Sequence, residues 1–383
     1  MRAPASTQEA RGAARKHLRA ALTLAARGLG SASPNPMVGA LVVRAGRVVG
    51  CGFHRSPGEP HAEVRALRRA GTAARGATLY VNLEPCAHHG RTPPCVDAIL
   101  HSGIRRVVAS MKDPNPLVRG RGFSALRRAG VQVECGLLGQ EARALNEAYV
   151  HHVRSGRPFV VLKAGTSLDG KIATAGGHSR WITSPVARRA AHDLRWGFDA
   201  ILVGVGTVLA DDPELAARRR GRENPRFLRV VLDAELRTPR RSRLVRAARR
   251  RPLVIYSAQD ASRSREKALL AAGVTVRRLP CKAGRIAVGS VLRDLGRQEI
   301  RSLLVEGGGE VHASFLAGGY ADKVILFMAP MLLGGRSAVP LVGGDGVSRP
   351  ALAPRLERLT VERCGPDLRI TGYPVSARNK RGR

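Results

Sequence analysis

Two short stretches hold residues whose types and spacing could do chemistry: Pro60-His61-Ala62-Glu63 and Glu84-Pro85-Cys86-Ala87-His88-His89-Gly90-Arg91-Thr92-Pro93-Pro94-Cys95. His61, Cys86 and Cys95 offer one imidazole and two thiols. Three such ligands hold zinc with its fourth position open to water, whereas structural zinc sites close all four. Zinc lowers the pKa of a bound water to about 7, which makes a nucleophile at neutral pH. Glu63 follows the expected ligand His61 closely and is placed to move protons rather than to bind metal. The set points to one Zn2+ per chain and to hydrolysis. The bland alternative is a structural zinc site, or buried thiols beside a satisfied histidine. Four correctly typed residues in this order weigh against it.

These residues need elements to hold them. The apolar spacing Leu18, Leu22, Ala25, Ala26, Leu29 predicts an amphipathic helix. Residues before it, rich in Arg and Ala with Glu9 as the one acid, read as a frayed extension of about a dozen residues, although such a composition also suits a transit peptide. Met37 to Val43 and Val48 to Phe53 read as a hairpin joined by Arg44-Ala45-Gly46-Arg47. Pro60 suits the first turn of a helix, where its missing N–H costs nothing. Gly71 ends that helix, so His61 and Glu63 fall in its first turn. Ala77 to Leu83 reads as a strand that delivers Cys86. Val96, Ile99 and Leu100 have helical spacing, so Cys95 sits at a helix N-terminus, which favours a thiolate. Strands at Ile104 to Ser110 and Val131 to Cys135 flank a helix from Arg121 to Ala129. Glu141 to His152 reads as one helix, ended by Ser155-Gly156-Arg157-Pro158.

Beyond that boundary, strand-like runs recur at Phe159 to Lys163, Ala200 to Val203, Leu228 to Leu232, Leu253 to Ile255, Val274 to Arg277, Leu303 to Val305 and Lys323 to Met328, with helical segments between most of them. This alternation indicates an α/β domain with a largely parallel sheet. Gly204-Val205-Gly206-Thr207 follows a strand but has Leu209 where a Rossmann fingerprint needs its third glycine, so that reading is rejected. Val305-Glu306-Gly307-Gly308-Gly309-Glu310-Val311 reads as strand, glycine turn and helix. It is either a phosphate cradle or an ordinary turn.

The totals bound the class. A chain of 383 residues exceeds one typical core, and 44% hydrophobic content excludes a disordered chain. No apolar run approaches the roughly 18 residues that span a bilayer. The net charge of +36 invites a nucleic-acid reading. Only eight of the 65 basic residues are lysine, however, and the arginines are dispersed, which fits solvated faces better than a binding arm. The six cysteines lack a disulfide rhythm, so reduced thiols in a cytoplasmic protein are expected.

The order His-x-Glu, Pro-Cys, Cys is the pattern of zinc deaminases that act on nucleobases, usually as Pro-Cys-x-x-Cys. Here Ala87 to Pro94 separates the two cysteines. With that insertion the chain resembles the bifunctional riboflavin-biosynthesis deaminase–reductase family. The resemblance extends to Pro34-Asn35-Pro36-Met37-Val38-Gly39 and Asp113-Pro114-Asn115-Pro116 in the first half. In the second it includes Ser167-Leu168-Asp169-Gly170-Lys171, Ser179-Arg180-Trp181-Ile182-Thr183-Ser184 and Val205-Gly206-Thr207-Val208-Leu209-Ala210-Asp211-Asp212-Pro213, nearly the whole chain. It implies a cytidine-deaminase-like three-layer α/β sandwich followed by a dihydrofolate-reductase-like α/β domain. The domains are expected at residues 1–147 and 148–373, with a basic disordered tail over 374–383.

The implied function is zinc-dependent deamination of a diaminopyrimidine carrying a ribosylamino phosphate, then NADPH-dependent reduction of the ribosyl chain to ribityl. Carried over residue by residue, Glu63 is the proton shuttle. Asn35, His88 and Arg91 resemble substrate contacts of the deaminase, with Asp113 and Asn115 as further pocket candidates. Asn35 could equally be a turn residue. Gly165, Trp181, Thr207, Asp211, Gly308 and Gly309 resemble NADPH contacts. Lys163, Ser179, Arg195, Leu215, Arg218 and Glu306 resemble contacts to the phosphorylated substrate. Ala216 and Ala234 stand where the family often has Thr and Ser, which implies one hydrogen bond fewer at each place. The expected partners are the phosphorylated pyrimidine and NADPH, with no specific nucleic acid and no membrane, in a homo-oligomer. The rival readings are a nucleic-acid base deaminase, a zinc-stabilised nucleic-acid-binding protein, and an enzyme with one inactive half. The inserted loop and second half oppose the first, and Glu63 with three ligands opposes the second.

Overall fold

The computed structural model describes residues 7–90, 92–282 and 284–375. By its contacts the chain divides into two units, Met1–Gly156 and Arg157–Arg383. No described helix is long and apolar enough to cross a membrane.

The first unit runs α1 (Thr7–Ala25), β1 (Gly39–Arg44), β2 (Arg47–Phe53), α2 (Ala62–Ala70), β3 (Thr78–Val81), α3 (Cys95–His101), β4 (Arg106–Ala109), α4 (Arg121–Arg128), β5 (Gln132–Cys135), α5 (Gly139–Leu145) and α6 (Glu147–Ser155). Its sheet has the order β2-β1-β3-β4-β5, with β1 antiparallel to both neighbours and β3, β4 and β5 parallel. Strand alternation divides the apolar residues between two faces. Leu41, Val43, Tyr80 and Val108 pack with Ala14, Leu18 and Ala21 of α1. Ala40, Val42, Leu79, Val81 and Val107 cluster with Ala62 and Ala66 of α2, Ile99 of α3 and Leu126 of α4. The result is the expected three-layer sandwich. On β2, a Cβ at Gly50 would stand 2.2 Å from the Ala66 oxygen, and one at Gly52 2.6 Å from the Ala62 oxygen. Only glycine lets α2 lie that close to the strand, which fixes where His61 and Glu63 stand.

Four local expectations change. α1 already begins at Thr7, because a helix nucleated on its buried stripe propagates at little cost into the preceding residues. Residues 1–6 lie outside the described chain. The helix after Pro60 begins at Ala62, and His61 is its extended N-cap (φ −64°, ψ 166°) rather than part of its first turn. The single helix expected over Glu141 to His152 is two, α5 and α6, broken at Asn146. That side chain accepts from the Met37 N–H at 2.8 Å and donates to the Met37 carbonyl at 3.0 Å. Finally, Pro374 and Val375 belong to a strand, paired with Leu356 and Arg355, and the expected tail from 376 onward lies outside the described residues.

The second unit runs β6 (Phe159–Thr166), β7 (Lys171–Ala173), α7 (Pro185–Leu194), β8 (Ala200–Gly204), α8 (Val205–Asp211), β9 (Arg218–Arg219), β10 (Arg222–Glu223), β11 (Leu228–Leu232), α9 (Arg243–Arg246), β12 (Leu253–Ala258), α10 (Arg263–Ala271), β13 (Thr275–Leu279), β14 (Cys281–Lys282), β15 (Arg285–Ile286), α11 (Val288–Arg297), β16 (Ser302–Val305), α12 (Gly309–Ala317), β17 (Lys323–Met328), β18 (Val339–Pro340), β19 (Arg355–Cys364) and β20 (Asp367–Val375). Nine strands form one sheet in the order β13-β12-β11-β8-β16-β6-β17-β20-β19. Neighbours from β13 to β17 are parallel, and β20 and β19 close the sheet antiparallel. Helices cover both faces of the parallel part, so its inner strands are mostly apolar, with Lys163 of β6 and Arg229 of β11 as exceptions. Ile201, Val203, Val231 and Ile255 pack with Leu244 of α9 and Leu269 of α10. Leu202, Val230, Val254 and Leu303 pack with Val291 and Leu295 of α11 and Phe315 of α12. The β19–β20 hairpin was not legible in the sequence, since β19 is almost wholly exposed and carries no buried alternation.

Not every arginine lies on a solvated face. Arg229 is 1% exposed, and its guanidinium donates to the carbonyls of Leu244 at 3.3 Å, Pro252 at 3.4 Å and Arg251. Burial lowers its pKa to about 10.

Candidate functional site

Three helix starts and one strand end build the centre of the first unit. His61 caps α2, Cys95 is the first residue of α3, and Cys86 follows β3 across Asn82, Leu83, Glu84 and Pro85. The Cys95 N–H donates to Cys86 Sγ at 3.4 Å, and the Val96 N–H to the Cys86 carbonyl at 3.2 Å, so the start of α3 rests on Cys86. The start of α4 presses from another side: a Cβ at Gly122 would stand 2.0 Å from the Pro85 oxygen.

Between these elements lies the carboxylate of Glu84, 3% exposed. Oε2 accepts from the N–H groups of Asp113 at 3.1 Å and Gly120 at 2.9 Å. Oε1 accepts from those of Gly122 at 3.1 Å and Phe123 at 3.3 Å. Gly120 is the N-cap of α4, so the carboxylate also meets the positive end of that helix. Glu84 therefore ties the Asp113 turn and α4 to the segment that carries Cys86.

The donor atoms of His61, Cys86 and Cys95 lie within 4.8 Å of one another. His61 Nδ1 stands 3.2 Å from Cys95 Sγ and 3.6 Å from Cys86 Sγ. Zinc bond lengths and a tetrahedral angle place such N and S atoms about 3.6 Å apart, so the residues fit the ion. Hydrogen bonding to Cys95 draws Cys86 down, and hydrogen bonding to Cys86 pushes Cys95 up. The imidazole is raised chiefly by its bond to Cys86. With Nδ1 facing the thiols, Nε2 stands 3.3 Å from Thr92 Oγ1, a partner that fixes the ring, as outer-shell groups do for metal-bound histidines.

Glu63 is 3% exposed, and its Oε2 has no hydrogen-bond partner. Burial pushes its carboxyl up to about 7, against the pull of the His61 charge. An acid poised there both holds and releases a proton near neutrality.

Asn35 Nδ2 lies 2.9 Å from His54 Nε2, and the His54 ring stands edge-on to His61 with centroids 5.1 Å apart. Burial lowers His54 to about 4, with the His61 charge adding to the effect, so it is neutral and its Nε2 accepts from Asn35. Asn35 is thus joined to the centre through His54. Asp113 accepts from Tyr149 Oη at 2.9 Å and the Asn115 N–H at 2.8 Å, while Asn115 accepts from the Leu117 N–H at 3.0 Å. Burial raises Asp113 to about 6. These bonds hold Asp113 and Asn115 in a turn against Tyr149. His88 is partly buried with Nδ1 unpartnered. Arg91 lies outside the described residues.

In the second unit a cavity of about 780 Å3 opens over the C-terminal ends of β6, β8 and β16. Gly165, Trp181, Thr207, Asp211, Gly308 and Gly309 line it, as do Lys163, Ser179 and Glu306. Glu306 accepts from Arg195 Nε at 2.9 Å, Arg195 Nη2 at 2.8 Å and Lys163 Nζ at 3.4 Å. Burial alone would raise its carboxyl, but Arg195 and Lys163 outweigh it and hold it at about 2. Arg195 thus meets the cavity through Glu306. Leu215 is 3% exposed and Arg218 pairs with Glu214 at 2.6 Å; neither is among the lining residues. The glycines of the turn differ in purpose. Gly307 makes room for Val311, and Gly309 for the Pro340 carbonyl, whereas Gly308 faces open space at the start of α12. Gly308 is thus where a phosphate could approach the backbone.

Sequence reasoning missed Glu84, His54, Thr92, Asn82 and Asn146. Asn82 accepts from the Gly39 N–H at 2.8 Å and donates to the Met37 carbonyl at 2.9 Å, sharing with Asn146 the task of fixing the strand after Asn35. Their partners are distant in sequence, so no local pattern reveals them. For Glu84 the signal was an acid placed directly after an apolar strand.

The Glu84→Gln protein is expected to lose about 1–3 kcal/mol of stability, because an amide NH2 must face N–H donors. It should also release zinc faster to a chelator. Urea unfolding and chelator-trapping curves that match the unsubstituted protein would contradict this role.

Two family models match the chain: the cytidine and deoxycytidylate deaminase zinc-binding region over residues 12–111, and the RibD C-terminal domain over residues 158–370. The riboflavin biosynthesis protein RibD of Bacillus amyloliquefaciens is 42% identical over 364 residues, which is 95% of this chain and 97% of that protein. RibD of Escherichia coli strain K12 is 42% identical over 363 residues, covering 91% and 96%. Acinetobacter baumannii RibD has a solved structure similar to this one, with TM-score 0.86, 35% identity and coverage of 96% and 100%. So does a diaminohydroxyphosphoribosylaminopyrimidine deaminase/5-amino-6-(5-phosphoribosylamino)uracil reductase of Thermotoga maritima, with TM-score 0.83, 36% identity and the same coverage.

Proposed function

The chain belongs to the RibD family of bifunctional riboflavin-biosynthesis enzymes, and from that premise we propose which of its residues carry each reaction. It is a zinc-dependent deaminase joined to an NADPH-dependent reductase. The deaminase acts on the diaminopyrimidine carrying a ribosylamino phosphate, and the reductase converts the ribosyl chain of the product to ribityl. The domain boundary falls near residues 147–157. One observation carries the assignment: His61, Cys86 and Cys95 converge beside a buried carboxyl that has an unpartnered oxygen.

His61, Cys86 and Cys95 hold the zinc. When bound, it supplies a Lewis acid that makes water a nucleophile at neutral pH. Glu63 accepts a proton from the water and returns it to the departing nitrogen. The ring carbon gains oxygen and the amino group leaves as ammonia. A carboxyl poised at about 7 suits both transfers. Asn35, oriented by His54, and His88 with Arg91 bind the pyrimidine and its phosphate.

In the reductase, NADPH supplies the hydride when bound. Gly165, Trp181, Thr207, Asp211, Gly308 and Gly309 contact it. Lys163, Ser179 and Glu306 face the ribosyl chain. Arg195 has two nitrogens committed to Glu306, so its first task is to hold that carboxylate ionised and oriented. Leu215 and Arg218 complete the substrate side, where Arg218 must exchange Glu214 for the phosphate.

A homo-oligomer in the cytoplasm completes the reading. The exposed Leu359 and Val361 on the edge strand β19 support a second copy as cover, and six unpaired cysteines support a reducing compartment. Light scattering should give a mass above one chain, and cell fractionation should place the protein in the soluble fraction. A monomer at micromolar concentration would contradict the first.

The reaction itself is tested with the diaminopyrimidine phosphate, with and without NADPH, by product mass. The Glu63→Gln protein should keep its zinc, lose deamination by about 100-fold or more, and still reduce the deaminated compound when supplied. Unaltered deamination would remove Glu63 from its role, and loss of reduction in the folded protein would show that the two activities are not separable.

A further inference from the structure

The hairpin of β9 and β10 has only two residues in each strand, with Arg218 opposite Glu223 and Arg219 opposite Arg222. A lone two-stranded hairpin is marginal at best in water. A side chain from another part of the chain braces this one. Arg251, which lies just before β12, donates from Nη2 to Glu223 Oε2 at 2.8 Å, and its Nε meets the other oxygen of that carboxylate. Its Nη1 donates to Glu214 Oε1. One guanidinium therefore ties β10 to the segment that leads into β9. The two acids in turn meet Arg218, Glu214 at 2.6 Å and Glu223 at 3.8 Å. Isolated pairs on an open surface contribute little. Here the Arg251 side chain is 20% exposed and its fork holds two carboxylates at once. Its bond is the foremost cause that holds Glu214 below the usual carboxylate range.

The brace is itself anchored in the core. The buried guanidinium of Arg229 donates to the backbone carbonyls of Arg251 and, at 3.4 Å, of Pro252. A charged group in β11 thus fixes the backbone from which the Arg251 side chain reaches out. On the other side, Leu215, Ala216 and Ala217 are buried, and Arg195 Nη1 donates to the Ala216 carbonyl at 3.5 Å. The residue that holds Glu306 therefore also holds the segment before Arg218. Pro213 and Arg243 line the large cavity, and Arg243 Nη2 donates to Glu214 Oε2 at 3.3 Å, so the network borders that cavity.

We propose that Arg251 is a positioning residue of the reductase: by bridging Glu214 and Glu223 it holds the hairpin so that Arg218 stands ready for the phosphate of the ribosylamino substrate. The proposal rests on the reading that Arg218 meets that phosphate. Ordering a rotamer-rich side chain during binding weakens affinity, and a guanidinium already held in place avoids that loss. The bridge also settles the charge left behind. When the phosphate takes Arg218, Glu214 keeps Arg251 and Arg243, so no unpaired carboxylate is left to repel the incoming anion.

The test is steady-state reduction of the deaminated substrate by the full-length zinc-loaded protein, with NADPH affinity measured by cofactor fluorescence and folding by circular dichroism. Arg251→Ala should raise KM for the phosphorylated substrate about tenfold, the scale of one charge-assisted bond. It should leave kcat and the Kd for NADPH within about twofold of the unsubstituted protein, a split that general loosening of the domain would not give. Arg251→Lys should recover part of the loss, because an ammonium reaches one carboxylate but cannot fork between two. Adding Glu223→Gln to Arg251→Ala should change KM little further, since both break the same bridge. An unchanged KM in the folded Arg251→Ala protein overturns the proposal, as does a fall in kcat and NADPH affinity as large as the rise in KM. If Arg251→Ala does not fold, a normal KM in both Arg251→Lys and Glu223→Gln overturns it instead. Arg218→Ala separates the underlying reading. Its KM should rise at least as much, and an unchanged KM there removes Arg218 from the phosphate whatever the Arg251 variants show. A raised KM in Arg218→Ala beside a normal one in Arg251→Ala sinks the positioning role alone.

Discussion

A carboxylate taken out of water must be met by donors or give up its charge. The working parts of this chain follow from how four buried acids meet that constraint. Glu84 is met by four backbone N–H groups and stays a fixed anion that binds α4 to the Cys86 segment. Asp233 is met by two N–H groups and a hydroxyl, and shapes the loop after β11. Glu306 is met by Arg195 and Lys163 and stays ionised on the wall of the large cavity. Glu63 alone keeps an oxygen without a partner, and burial pushes its carboxyl up to about 7. The three matched acids position groups, and the unmatched one is the acid we propose moves a proton.

The ligand set shows the same division between framework and chemistry. The glycines of β2 let α2 approach closely enough to present His61, and the start of α3 rests on the thiol of Cys86. Few of these contacts belong to reacting groups. They set where the reacting groups stand, and a displacement of about 1 Å in such a centre costs rate steeply. The large cavity of the second unit repeats the arrangement at the ends of parallel strands, with Gly308 left open while Gly307 and Gly309 serve packing.

Legibility in the sequence followed the range of the interactions. That His61, Cys86 and Cys95 come together beside Glu63 could be expected, because metal ligation and proton transfer demand particular residue types in a particular order. The parallel strands could be read because burial on both faces leaves apolar runs such as Ala200 to Val203 and Leu303 to Val305. The break at Asn146 could not, since helical spacing continues through it and its partner Met37 is over a hundred residues away. Glu84 and His54 were hidden for the same reason, being defined by partners that only the fold brings close. β19 escaped because an exposed edge strand has no buried face to pattern. Arg229 was hidden among the dispersed arginines, because the carbonyls it meets are brought close only by the fold.

The claim on which the chemistry stands is that His61, Cys86 and Cys95, and no fourth protein group, hold one zinc. X-ray absorption at the zinc edge, with metal content measured on the same sample, tests it most directly. The expected spectrum has two sulfur neighbours at about 2.3 Å and two lighter neighbours at about 2.0–2.1 Å, one of them an imidazole, at about one zinc per chain. A shell of three or four sulfurs, a shell with none, or a protein that holds no zinc when folded in its presence would contradict it.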